Sequence, residues 1–237
     1  MIIFHGSENI IYKPEYGKGS AANDYGRGFY CTESIDMAKE WACKRNRDGF
    51  ANKYSLNIND LNVCDLNDGT YNILNWLALL TRYRGYWQRR SIAEEAKEFL
   101  QANYLIDIST FDVIIGYRAD DSYFSFVQDF IMGTISLQKL SEAMRLGKLG
   151  EQVVLKSEKA FERISYLSNE EAPAEIYYPK MAARDLDARR RYADNKRAAS
   201  LIDEIYILDI LRGRGDYDEV IIQDRIDRYN TTKNESC

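Results

Sequence analysis

Read for its alternation of apolar and polar positions, the chain opens on a short strand. "MIIFHGS" is an apolar run stopped by a glycine and a serine. A loop follows, "SENIIYKPEYGKGSAANDYGRG", in which Pro14, Gly17, Gly19, Gly26 and Gly28 stand among small polar residues. "FYCT" predicts a second short strand. Ser34 as N-cap, Asp36 in the first turn and the stripe Met37, Ala38, Trp41, Ala42 predict a helix over 35–46. "NKYSLNI" alternates as a strand does. Ile73, Leu77 and Leu80 share one helical face, and Ala93, Ala96 and Leu100 share another.

"FDVIIGY" reads as a buried strand. Asp121 or Ser122 then caps a helix with Phe124, Val127 and Ile131 inward, and Ser136 caps one with Leu137, Leu140 and Met144 inward. "EQVVLKS" predicts a strand entered from the turn "GKLG", with "AFERISYL" as its neighbour. After about residue 173 the pattern changes. "DLDARRRYADNKR" offers the i,i+4 pairs Asp185 with Arg189 and Asp187 with Arg191, and "LIDEIYILDIL" continues as an amphipathic helix. Strands, helices and strands again make an α+β fold. The boundaries expected are a domain over 1–173 and a helical extension over 174–237, frayed after about 228.

Composition narrows the classes. Of 237 residues, 45% are hydrophobic and 29% charged, with 18 tyrosines and 3 prolines, which suits a packed core and not a disordered chain. A net charge of −5 disfavours non-specific binding to nucleic acid or anionic lipid, although a local basic patch can still act. The run Arg189–Arg191 with Lys196 and Arg197 is the place for such a patch, and a solvated helix face with internal ion pairs is the preferred reading of it. The cysteines Cys31, Cys43, Cys64 and Cys237 lack metal-ligand spacing, and one histidine makes a mixed zinc site unexpected, so no metal is expected. The amino terminus has neither a basic segment nor a long apolar segment, and no run of about 18 apolar residues occurs. A soluble, cytoplasmic protein with reduced thiols is expected, or one delivered by a signal-independent route.

The chemistry-bearing residues are few. His5, the one histidine, ends the first strand beside Gly6, where the backbone can approach a ligand or make a tight turn. In "YGRGFYCT" Phe29 and Tyr30 alternate faces, so one of them shares a side with His5 and offers it a stacking wall. No GxGxxG stands on a strand–helix turn, and "GKGSAAND" lacks the Gly-Lys-Ser/Thr ending of a P-loop. Asp120 and Asp121 follow a buried strand. Helix capping accounts for Asp121 and leaves Asp120 for a site. Glu151 and Gln152 open a late strand, and since successive residues face opposite ways, only one of them can enter a cleft with His5. The aromatics Trp76, Tyr83, Tyr86 and Trp87 read as core or partner surface.

Taken in order, "FHGS", "GRGFYCT" and the acid or amide opening a late strand resemble the ADP-ribosyltransferase superfamily. The resemblance is to its branch with a His, a Tyr and a third polar residue, shared by diphtheria-type toxins and poly(ADP-ribose) polymerases. "SIDMAKEWA", "DVIIGYRADD", "GTISL" and "EQVVLKSEKA" are similar to a bacterial and phage-borne family of that clan first catalogued as a domain of unknown function. The likeness spans roughly residues 1–167. It implies two packed, mostly antiparallel sheets with an NAD cleft, flanking helices and a helical C-terminal addition. It implies His5 on a ribose hydroxyl, the Gly6 backbone on the nicotinamide carboxamide, and Tyr30 stacked on the nicotinamide ring. Ser7, Gly28 and Thr32 fall among the NAD-binding positions. The third site residue is Gln152 where the polymerases have glutamate, with Glu151 as the alternative in a shifted register. Arg27, Asp120, Asp121 and Glu151 fall to the acceptor side. The activity implied is mono-ADP-ribosyl transfer from NAD, as co-substrate, to a protein or nucleic acid acceptor, by a bacterial or phage toxin or effector with a possible antitoxin partner and no membrane. An NAD glycohydrolase, or an NAD-binding module without turnover, is the alternative.

Overall fold

The computed structural model describes residues 1–84, 92–119, 121–145, 150–199, 203–213 and 219–235, with the backbone alone described at 121–123, 219–220 and 230–235. It is α+β, with two mostly antiparallel sheets and helices. Contacts divide it into two compact units.

The first unit comprises Met1–Leu66, Asp107–Arg118 and Leu149–Leu186. Its strands are β1 (Ile2–Ser7), β2 (Phe29–Cys31), β3 (Gly49–Leu56), β4 (Val63–Asp65), β5 (Val113–Tyr117), β6 (Glu151–Leu155) and β7 (Ile164–Ala172). One sheet runs β1-β3-β7, antiparallel throughout. The other runs β2-β6-β5-β4, with only the β4–β5 pair parallel. Ile3, Tyr54 and Leu56 of the first sheet pack with Cys31, Val113, Val153 and Leu155 of the second, so one apolar core lies between them. Strand alternation then sends Tyr30, Gln152 and Gly116 to the other face of the second sheet. Among the described residues the sheets meet at one antiparallel bridge, Phe4 with Thr32.

Helix α1 (Ile35–Ala42) lies over β1 and β3, and Ser34 Oγ caps it by accepting from the Met37 amide. It ends four residues before the expected Asn46. There the chain turns between Lys44 and Arg47 with Asn46 at φ 62°, and β3 begins at Gly49 instead of Asn52. Gly49 must be glycine, because a Cβ there would stand 2.3 Å from the Ala42 carbonyl oxygen. A second correction concerns "AFERISYL". Residues Glu158–Glu162 form the short helix α6, and β7 then pairs with β3 in the first sheet, so it is no neighbour of β6.

The second unit comprises Asn67–Ile106, Ala119–Lys148 and Asp187–Cys237, and is helical. It holds α2 (Ile73–Tyr83), α3 (Ile92–Asn103), α4 (Asp121–Ile131), α5 (Leu137–Arg145), α8 (Ile207–Leu211) and α9 (Glu219–Glu235). Helix α7 (Ala174–Arg197) belongs to the first unit up to Leu186 and to the second from Asp187, so the boundary expected at 173/174 is not where contacts divide the chain. Asn72 caps α2, which is buried on all sides from Ile73 to Thr81. Ser136 Oγ accepts from the Lys139 amide at the start of α5. The inward face of α4 is Phe126, Val127, Phe130 and Ile131, while Phe124 is half-buried.

The expected helix over 201–211 is also corrected. Residues 203–206 are non-helical, with Asp203 at φ 73°, and α8 starts only at Ile207. The chain there is drawn to α5: Leu137 donates to the Ile205 carbonyl, and the Ile205 amide donates to Gln138 Oε1. The tail is helical to Glu235, not frayed after 228. Among the described residues no helix is long and apolar enough to cross a membrane.

Candidate functional site

The site is built where β1 and β2 part. Phe4 exchanges two backbone bonds with Thr32, at 2.7 and 2.9 Å. In an antiparallel strand alternate residues turn their N–H and C=O to the same edge. Gly6 therefore presents its amide and carbonyl along the edge that Phe4 uses, where pairing with β2 has already stopped. The side of Gly6 that would carry a Cβ faces α1, and that atom would stand 2.0 Å from the Ala38 carbonyl oxygen. Glycine is thus required here by the helix overhead, and its peptide edge is left for a ligand.

His5 lies between. Its Nδ1 is 2.7 Å from the Tyr30 carbonyl oxygen. A carbonyl only accepts, so Nδ1 carries the hydrogen and Nε2 keeps a lone pair. Burial lowers the pKa of the ring, outweighing that bond, which raises it. The imidazole is neutral, and among the described residues Nε2 accepts from none. Its ring stacks on Phe29, with centroids 4.3 Å apart and planes at 29°. Of the two aromatics, Phe29 is therefore the one that faces His5. Tyr30 meets His5 through its carbonyl, and its hydroxyl donates to the Gly26 carbonyl at 2.6 Å while accepting from the Tyr25 amide at 3.1 Å.

Gln152, buried at 4% exposure, faces the same side of its sheet as Tyr30. Its Nε2 donates to Asp24 Oδ2 at 2.8 Å and to the Tyr117 carbonyl at 3.3 Å. Glu151, one position earlier, is exposed. The loop carrying Asp24 is held firmly. Tyr25, fully buried, donates its hydroxyl to the Tyr117 carbonyl at 2.7 Å and lies against Gly116, where a Cβ would be 2.4 Å from that hydroxyl. Lys156 Nζ donates to the carbonyls of Tyr25 and Arg27 at 2.5 and 2.6 Å, and burial lowers its pKa to about 8. Gly28 lies close on β6, where a Cβ would be 2.7 Å from Val154.

The remaining sequence-predicted positions fall as follows. Ser7 Oγ donates to the Asn9 carbonyl and accepts from Asn52, a buried amide that also bonds the His5 carbonyl and the Ile11 amide. Thr32 is buried, and its Oγ1 accepts from the Ser34 amide. Arg27 is exposed. Asp120 and the side chain of Asp121 lie outside the described residues, as do Tyr86, Trp87 and Cys237. The structure adds three groups that sequence reasoning missed: Asp24, Lys156 and Trp41 as a stacking face. The Arg118 guanidinium lies 4.0 Å over the Trp41 ring. The basic stretch of α7 is ion-paired in part, Arg190 and Arg191 with Asp187 and Lys196 with Asp129. Among the described residues no group of His, Cys, Asp or Glu could hold a metal, and the buried Cys31, Cys43 and Cys64 are not joined in disulfides.

No curated protein and no solved structure matches the chain. A family model does, over residues 1–166, and by that match the chain belongs to the family described as "Protein of unknown function (DUF3990)".

Proposed function

We propose that the protein is a mono-ADP-ribosyltransferase, which moves ADP-ribose from NAD to a macromolecular acceptor and releases nicotinamide, as a toxin or effector. The observation that carries this reading is the open peptide edge of Gly6 beside a neutral histidine. A carboxamide needs one donor and one acceptor side by side, and a strand's free edge offers that pair. A ribose hydroxyl needs an acceptor, and the Nε2 lone pair of His5 is one. The indole of Trp41, which already takes the planar Arg118 cation, is of the kind that takes a pyridinium. The Oε1 of Gln152 is a second acceptor for a ribose hydroxyl.

In the reaction the bond between ribose C1′ and the nicotinamide nitrogen breaks, and its electron pair goes to that nitrogen. The ring leaves neutral and the positive charge passes to the sugar, as in glycoside cleavage. A lone pair of the acceptor then bonds C1′, and the acceptor's proton goes to solvent. His5 orients the sugar and moves no proton, since its Nδ1 hydrogen is held by a carbonyl and its basicity is lowered by burial.

The test is incubation with NAD labelled in its adenylate part, together with whole-cell lysate. Label joined covalently to protein or RNA, in step with nicotinamide release, is the expected result. Protease and nuclease sensitivity then identify the acceptor. Label found only as free ADP-ribose would make the protein a glycohydrolase. A rise in melting temperature with NAD but no nicotinamide over hours would make it a binding module.

A further inference from the structure

Bond cleavage that shifts positive charge from a pyridinium to a ribose is favoured by negative charge near the ribose. Gln152, a neutral amide, cannot supply it. The structure sets a carboxylate against that amide. Asp24 Oδ2 and Gln152 Nε2 are 2.8 Å apart, and each residue is 4% exposed. The Tyr117 carbonyl, 3.3 Å from the same nitrogen, can only accept, so the orientation of the amide is decided by chemistry. Both amide hydrogens are engaged, and Oε1 is the end left to accept. Among the described residues it accepts from none.

Asp24 is also held in place from several sides. The adjoining residues are tied by the Tyr25 and Tyr30 hydroxyls and by Lys156, which spans the carbonyls of Tyr25 and Arg27. A group fixed in this way needs no reorganisation when charge moves.

We infer that Asp24 is a positioning residue of the proposed reaction: its carboxylate holds the Gln152 amide with Oε1 turned to the ribose and lends that oxygen negative charge, so that the pair takes the part of one carboxylate. This rests on the NAD reading above. A carboxylate accepting from an amide N–H polarises the amide, and hydrogen bonds in series strengthen one another in a low-dielectric interior. The interaction grows as charge moves onto the sugar, so it acts on turnover more than on NAD affinity.

Four proteins test it: wild type, Asp24→Asn, Gln152→Glu and the double variant, each measured for nicotinamide release, NAD affinity and melting temperature. Asparagine keeps the shape and can still accept from the Gln152 amide through Oδ1, so at that contact it removes the charge. Asp24→Asn is expected to slow release by about 100-fold, the usual scale for loss of one preorganised electrostatic group, with NAD affinity little changed. Gln152→Glu sets two carboxylates in contact, where one opposes ionisation of the other, and is expected to lose activity too. The double variant restores one carboxylate and is expected to recover most of the rate, which a merely structural role for Asp24 would not produce. If Asp24→Asn does not fold, the double variant is compared with Gln152→Glu, and a higher rate in the double supports the inference. Wild-type turnover in Asp24→Asn, or a double variant no faster than its single parents, overturns the inference alone. A wild-type protein that neither binds nor cleaves NAD overturns the NAD reading, and the inference falls with it.

Discussion

At the scale of the residue, two opposed effects set the charge of His5. Enclosure against Phe29 disfavours the imidazolium, the bond to the Tyr30 carbonyl favours it, and enclosure wins. The folded pKa therefore lies below the unfolded value of 6.5. Below that pH the unfolded chain binds the extra proton, so the stability held by neutral His5 is complete above pH 6.5 and is lost as pH falls toward the folded pKa. Because the chain has one histidine, its imidazole resonance can be followed alone. It is expected to show the Nδ1–H tautomer with a titration midpoint below 6.5. A midpoint at or above 6.5 would mean that burial does not dominate. The His5→Asn variant separates fold from function, since the asparagine amide can reach the Tyr30 carbonyl but has no atom at Nε2. Melting close to wild type is expected, with nicotinamide release down by about 100-fold. His5 drew notice in the sequence as the one imidazole, set beside Gly6 and Ser7, although a histidine at a strand end is more often a hydrogen-bonded structural residue. Asp24 was not, because within "GSAANDYG" an aspartate reads as turn chemistry. Its partner is 128 positions away, and only folding brings the two together.

At the scale of the element, the parting of β1 from β2 frees the Gly6 edge, and the closeness of α1 to β1 requires glycine there. The helix reaches that distance because nothing projects from Gly6, and a Cβ would meet backbone atoms of Ala38 and Ala42 that cannot rotate away. Gly6→Ala is therefore expected to cost about 2–3 kcal/mol, the upper part of the range for overpacking, read as a lower urea midpoint with an unchanged slope. A midpoint equal to wild type would show that α1 can ride outward at no cost. Helices were the more legible elements. Ser34 and Ser136 announced their caps, and the apolar stripe of α3 matched its buried face, whereas in α1 Trp41 is half-buried and Glu40 is buried instead. Strand partners were harder. The three-residue β4 carries no alternation to detect and gains its place only by pairing in parallel with β5. Strand β7 follows β6 closely in sequence, so adjacency suggested pairing, but the α6 turn carries it to the other sheet, and its faces do not record which neighbour it joins.

At the scale of the whole molecule, each compact unit draws on three separated stretches of chain, and this bears on the family match. The matched segment, 1–166, holds six strands whole and only the start of β7, and it holds only part of the helical unit. Within that unit the later chain is not an appendage. Tyr192 stacks on Phe126 at 3.8 Å and donates its hydroxyl to Asp129, and Lys139 Nζ donates to the Ala198 carbonyl. Ile205, Ile207, Ile210, Ile222 and Ile226 are all at most 3% exposed. At roughly 1.5–3 kcal/mol for each fully buried side chain, removing those five forgoes about as much as the whole stability of an ordinary domain. In the first unit the same cut takes Arg184 from the buried Glu40 it pairs with, leaving a carboxylate without its cation. The reading of residues 174–237 as an extension to a self-sufficient domain has a direct test in a chain ended at residue 173. That fragment is expected to lose the cooperative thermal transition of the full chain and to bind a dye for exposed apolar surface, with residues 67–148 the first to be cut by protease. If it instead melts cooperatively near the full chain's temperature, the contacts between α5 and α9 and the Phe126–Tyr192 stack contribute far less than their burial implies.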